Sequence, residues 1–165
     1  MTQQTTQRAA LTPAEQGGIF AVINRRLDSV AQPFDGVAWL ALRATTGLLL
    51  VPHGAQKLFG IFGGGGISGT AGFLESVGYP TPTLLAILIG CVEFFGGLML
   101  TFGLLTRFVA VAIAVFMAFA VLFHLGNGFF WTARGYEYPL FWAVAALFFV
   151  VRGGGAFSLD RKLSA

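Results

Sequence analysis

The sequence predicts an all-α membrane protein: a four-transmembrane-helix bundle with an N-terminal amphipathic interfacial helix and a Gly-rich outer loop. Three observations predict it. Hydrophobic residues make up 56% of the 165-residue chain and charged residues only 10%, respectively above and below the soluble norm. The apolar residues gather into four runs that approach or exceed the length needed to cross a hydrocarbon core of about 30 Å. Nearly all the charge lies between those runs.

The pattern divides the chain into a cytoplasmic tail and amphipathic helix (1–36), a membrane domain (37–152) and a cytoplasmic C-terminal tail (153–165). Thr12-Pro13-Ala14-Glu15 reads as a helix start, with Thr12 as N-cap, Pro13 in the first turn and Glu15 at the capping-box position. Ile19, Phe20, Ile23, Leu27 and Val30 then recur at helical spacing beside Arg25 and Arg26. This places the helix flat on the inner membrane surface, with packing on a partner protein as the alternative. Spans are expected at 37–59, 83–105, 107–126 and 137–152, the last short enough to need tilt or local thinning. The glycine loop from Gly60 to Gly69 leads into a short helical stretch ending at Val77, with Gly78-Tyr79-Pro80 as its stop. It lacks the Gly-x-x-x-x-Gly-Lys-Ser/Thr pattern of a phosphate loop.

Basic residues set the orientation. With the N-terminus inside, Arg8, Arg25, Arg26, Arg107, Arg152, Arg161 and Lys162 fall on the cytoplasmic side, against Lys57 and Arg134 outside. Both termini are therefore expected in the cytoplasm, in a bacterial inner membrane. Those cations sit at segment ends and form no stripe that could track phosphates, which argues against nucleic acid as a partner. A single cysteine, Cys91, rules out an intrachain disulfide and a four-cysteine cluster. No compact apolar run with a cleavage site opens the chain, so a removable signal peptide is not expected.

A charge in hydrocarbon costs at least about 2.5–3.5 kcal/mol on insertion scales, so ionisable residues within spans are functional candidates. Counting at 1.5 Å per residue places Arg43 about 9 Å from the inner edge and Glu93 about 15 Å from either edge. An Arg43–Glu93 structural ion pair would lower the cost of both. The same count puts His53 and His124 about 5 Å below the outer surface, where Gln56, Lys57, Asn127 and Glu137 converge with them. Three readings of that cluster compete: polar caps on helix ends, a quinone pocket, and haem or metal ligation by His53 and His124 with Glu137. In the quinone reading His53, His124 and Glu137 act catalytically, and His53, Gln56, Lys57, His124 and Asn127 bind the cofactor.

The same residues resemble the DoxX family of small bacterial membrane proteins. Arg43 with Gly47-Leu48-Leu49-Leu50, His53-Gly54-Ala55-Gln56-Lys57-Leu58-Phe59-Gly60, Glu93-Phe94-Phe95-Gly96-Gly97, Gly103-Leu104-Leu105-Thr106-Arg107, His124 with Asn127-Gly128-Phe129-Phe130, and Ser158-Leu159-Asp160 carry the likeness across 39–162. The resemblance implies a four-span bundle and an association with membrane redox systems, including quinol oxidase and thiosulfate–quinone oxidoreduction. The leading expectation is thus a redox subunit that works with a partner oxidoreductase in the lipid bilayer. A non-enzymatic anchor or assembly factor for a soluble enzyme is the second expectation. Small residues at Gly47, Gly90, Gly96 and Gly97 suit close helix packing within one chain or in a homo-oligomer.

Overall fold

The computed structural model describes residues 18–165, so the expected helix start at Thr12–Glu15 lies outside them. The chain separates into two units, 1–35 and 36–165. In the first, α1 (Ile19–Ala31) is a helix with no buried residue, and Ile19, Phe20, Leu27 and Val30 are all exposed. A short 3₁₀ turn, Gln32–Phe34, follows it.

The second unit is helical throughout its regular elements. It begins within α2 (Asp35–Phe59), whose Pro52 supplies no amide to the Leu48 carbonyl. Next comes α3 (Gly66–Ser76), the helical stretch expected after the glycine loop. It ends where the sequence said it would: Gly78 turns left-handed, its amide bonds to Glu75 and the Tyr79 amide to Leu74, which closes off the last carbonyls. Ala71 and Leu74 of this helix bury against Ala86 of the next.

One long apolar segment follows, made of α4 (Pro82–Cys91), a π-helical turn (Val92–Gly96) and α5 (Gly97–Phe102). Left-handed Gly103 ends it with the same pair of reverse bonds, Gly103 to Leu100 and Leu104 to Met99. That stop falls before the expected 105, because Gly103 accepts a backbone that no L residue adopts readily. Then come α6 (Thr106–His124), α7 (Glu137–Arg152) and the short α8 (Leu159–Leu163). The main core lies where α6 meets α7 and the preceding segment: Ile113, Ala110, Met117, Leu100, Ala146 and Phe149 are buried together.

Three stretches, Ile19–Phe59, Pro82–Phe102 and Thr106–Asn127, are long and apolar enough to cross a membrane. The fourth expected span coincides with α7, whose 16 residues reach about 24 Å, short of the usual 20-residue crossing.

The C-terminal tail closes one end of the second unit. Arg43, almost wholly buried on α2, donates to the Gly154 carbonyl and, at 2.8 Å, to that of Phe157. Trp39 donates its indole N–H to Gly153 at 3.1 Å. Asp160 accepts the Leu105 and Thr106 amides at 2.6 and 2.9 Å, capping α6 from a distant part of the chain. Burial works to raise the Asp160 pKa, but bonds from Thr106 and the Leu105 amide, with the Arg43 charge, outweigh it and hold the carboxyl below its usual range.

A depressed carboxyl pKa contributes stability that is complete above the ordinary value of about 4 and is lost as pH falls through the lower, folded value. Asp160→Asn, which keeps one acceptor but turns its NH₂ toward the second backbone amide, should therefore lower the melting temperature in detergent at neutral pH, by an amount equivalent to about 1 kcal/mol for the lost hydrogen bond. It should also remove part of the acid destabilisation that the parent shows. A variant that melts like the parent at both pH 7 and acid pH would show that the cap carries no weight.

Candidate functional site

Two helices approach backbone to backbone across glycine. A Cβ on Gly54 would collide with the Phe94 backbone, and one on Gly97 would come within 2.7 Å of the Gly47 carbonyl. A Cβ on Gly90 would meet the Leu58 side chain at 2.7 Å. Such contacts replace the missing hydrophobic drive between helices in lipid with close packing, and they fix the register of α2 against the α4–α5 segment.

That register brings Lys57 to Glu93. The Lys57 ammonium lies 2.6 Å from the Glu93 carboxylate, the one salt bridge among the described residues. Glu93 is buried, with its side chain 6% exposed, whereas Lys57 keeps 28% of its side chain open. Glu93 sits within the π turn, where one extra residue is accommodated in the helical path; such turns recur at functional sites. Phe94 packs edge-on against both Phe59 and Phe95, with ring centres 5.1 Å apart in each pair. His53 is exposed one turn before Lys57, and its carbonyl accepts a long 3.5 Å contact from the same ammonium. The result is a buried carboxylate and a partly open ammonium, with the exposed His53 one turn before Lys57 on α2 and Phe94 next to Glu93 in the chain.

The expected ion pair of Arg43 with Glu93 does not form. Gly47 packs against Gly97 and Thr101, so Arg43 lies beyond the level of Thr101, about two turns or more from Glu93. Its guanidinium is taken by the C-terminal carbonyls instead.

The expected outer cluster is likewise divided. Gly54 packs on Phe94, and Gly96 faces Val109 and Ile113, which sets His53 roughly 15 Å or more below His124 along the helix axis. No hydrogen bond or ring contact joins the two imidazoles among the described residues. His124 pairs its Nδ1 with the Arg134 carbonyl at 2.7 Å and packs against Phe123 and Trp131. Asn127 donates to that same carbonyl at 3.1 Å. Both organise the loop before α7. Gln56 donates to the Phe62 carbonyl at 3.0 Å and so anchors the glycine loop. Glu137 opens α7 and lines a surface groove of about 400 Å³ with Tyr138, Phe141 and Trp142. The described residues contain no group of three histidine, cysteine or carboxylate side chains placed to hold a metal ion, so His53, His124 and Glu137 do not form a ligand set.

The DoxX family model matches residues 38–126. The chain belongs to the DoxX family. It is similar to an uncharacterized protein of Haemophilus influenzae, 37% identical over 110 residues that cover 58% of this chain and 79% of that one. It also resembles the uncharacterized membrane protein Rv3486 of Mycobacterium tuberculosis, at 31% identity over 76% of this chain and 80% of the other. A third relative is the Bacillus subtilis protein named "Putative oxidoreductase CatD", 34% identical over 52% of this chain and 58% of its own length. No solved structure matches the chain. His53, Lys57, Glu93 and the glycines that align them all fall within the DoxX match, as does His124, while Asn127, Glu137 and Asp160 lie outside it.

The sequence placed Lys57 and Glu93 in separate groups and so missed their pairing. The glycine spacing did not give it: with Gly47 opposite Gly97 the shared seven-residue spacing would set Gly54 opposite Gly90, whereas Gly54 meets Phe94 and Gly90 meets Leu58, a shift in register across the π turn at Val92–Gly96.

Removing one partner of a buried pair strands the other charge. Lys57→Met should cost about 2 kcal/mol, less than a fully buried pair because the ammonium is partly solvated. Lys57→Met with Glu93→Leu should recover much of the loss in thermal melts, and additive losses in the double variant would contradict coupling between the two. Gly54→Ala should destabilise by about 1–3 kcal/mol through overpacking. Gly69→Ala, whose added Cβ meets nothing within 4 Å, serves as the control that should melt close to the parent.

Proposed function

We propose that this DoxX protein is a four-span subunit of a redox system in the bacterial inner membrane, binding a quinone headgroup beside the Lys57–Glu93 pair and working with a partner oxidoreductase. The observation that carries the reading is the buried Glu93 carboxylate of the π turn paired with the partly open Lys57 ammonium of α2, at the level where Phe94 of the same turn packs on Phe59 and Phe95. A pocket for a small redox ring needs an apolar wall with a few donors for its carbonyl oxygens. Lys57 and His53 supply the donors and the phenylalanines the wall. The name of the Bacillus subtilis relative supports an oxidoreductive setting.

A bound quinone would supply two-electron, two-proton chemistry. The chain's own share is placement and proton handling. Lys57 would orient a carbonyl oxygen while Glu93 holds the ammonium in place. His53, exposed on α2, would exchange protons from the open side. His124, Asn127 and Glu137 shape the far loop in this reading and do not touch the ring.

In the same reading α7 crosses as the fourth span by local thinning of the bilayer, with Trp131, Tyr138 and Trp142 near its first end as an interfacial belt. Both termini then face the cytoplasm, and α1 lies on that surface through its exposed apolar side chains. The anchor reading gains nothing from the C-terminal tail, which is held against the bundle by Arg43, Trp39 and Asp160.

The full chain, purified in mild detergent, should yield quinone on lipid extraction and mass spectrometry. Lys57→Met and His53→Ala should each lower the amount about tenfold without loss of the folded protein. Quinone absent from the parent, or retained equally in both variants, would overturn the proposal. A Soret band in the parent would favour haem instead.

A further inference from the structure

Four cations gather where α6 begins and α7 ends. Arg107 donates to the Val150 and Val151 carbonyls at 2.7 and 2.9 Å, and so leans over the last turn of α7. A Cβ on Gly153 would sit 3.4 Å from its Nε, which places the guanidinium beside that glycine. Arg152 lies 4.7 Å over the ring of Trp39, and Trp39 bonds to Gly153, so the two arginines flank one residue. The Asp160 carboxylate, seated on the Leu105 and Thr106 amides, draws α8 to the same place with Arg161 and Lys162 on it.

All four side chains are exposed, and none forms a salt bridge among the described residues. The Asp160 carboxylate beside them is occupied by backbone amides. Around them stand exposed apolar side chains: Leu105, Phe108, Val151 and Leu163 are each more than half open. In a bilayer those side chains face acyl chains, so the cations beside them stand at the level of lipid headgroups. A molecule with a phosphate and attached acyl chains meets both at once.

We infer that this face is a binding site for the headgroup of an anionic phospholipid, with the phosphate held among Arg107, Arg152, Arg161 and Lys162 and the acyl chains lying along the apolar flanks of α6 and α7. The site is separate from the Lys57–Glu93 pair and stands whether or not that pair binds a quinone. Trp39 positions Arg152, and Asp160 positions α8, so the tail that caps α6 also completes the basic face.

Native mass spectrometry of the full chain in detergent, titrated with phosphatidylglycerol, with phosphatidylcholine of the same acyl chains, and with inorganic phosphate, tests the assignment. Phosphatidylglycerol should be retained at least tenfold more tightly than phosphatidylcholine, weaken with added salt, and resist displacement by inorganic phosphate. Arg152→Gln and the Arg161→Gln, Lys162→Gln double variant leave the Arg107 bonds to α7 untouched and should weaken retention about fivefold per charge removed. Equal binding of the two lipids by the parent would overturn the inference, as would undiminished selectivity in variants that melt like the parent. Competition by inorganic phosphate at matching concentration would assign the site to a free anion instead. Should a variant fail to fold, the lipid selectivity and salt dependence of the parent decide by themselves.

Discussion

The ion pair between Lys57 and Glu93 constrains the rest of this DoxX protein more than any other contact. A carboxylate in the middle of an apolar segment cannot be solvated by its surroundings, so a cation has to be brought to it by the protein. Lysine reaches only as far as its side chain allows, and the two backbones must therefore run close and in one register. Gly47, Gly54, Gly90 and Gly97 provide that approach. The π turn at Val92–Gly96 lies at the same level and carries Glu93. Packing, register and charge are thus one arrangement.

The other buried charge is handled differently. Arg43 has no carboxylate in contact; its guanidinium is met by the carbonyls of Gly154 and Phe157 in the returning tail. A Cβ on Gly103 would come within 2.6 Å of the same guanidinium, so the turn that ends α5 is shaped around it. Asp160 then caps α6 from the tail and adds its charge at longer range. The first span, the turn before α6 and the C-terminus are consequently tied into one end of the second unit. The basic side chains left outside form the face assigned to a lipid headgroup.

The helical class, the presence of helical stretches long and apolar enough to cross a membrane, the helix over Glu137–Arg152 and the stop at Gly78 were legible in the sequence. Each depends on local signals: apolar run length, glycine at a left-handed position, and charge at segment ends. The partners of Arg43 and Glu93 were not legible by counting depth from span edges, because the count treats helices as parallel posts of equal height. The register of α2 with α4–α5 puts Gly54 against Phe94 and His53 at about that level, far from His124. The seven-residue glycine spacing does not give the register either, because the π turn shifts it between Gly97 and Gly90. The tail's role escaped notice because backbone carbonyls carry no sequence signature, and Arg43 is satisfied by them.

Solid-state NMR of the protein in lipid bilayers, with nitrogen-15 in the lysine ammonium and carbon-13 in the glutamate carboxyl, would examine the central contact most directly. The account predicts a strong dipolar coupling between Lys57 Nζ and Glu93 Cδ that disappears in Lys57→Met, with the Glu93 carbon at the shift of an ionised carboxylate. No measurable coupling, together with a carbon shift typical of a protonated acid, would contradict it.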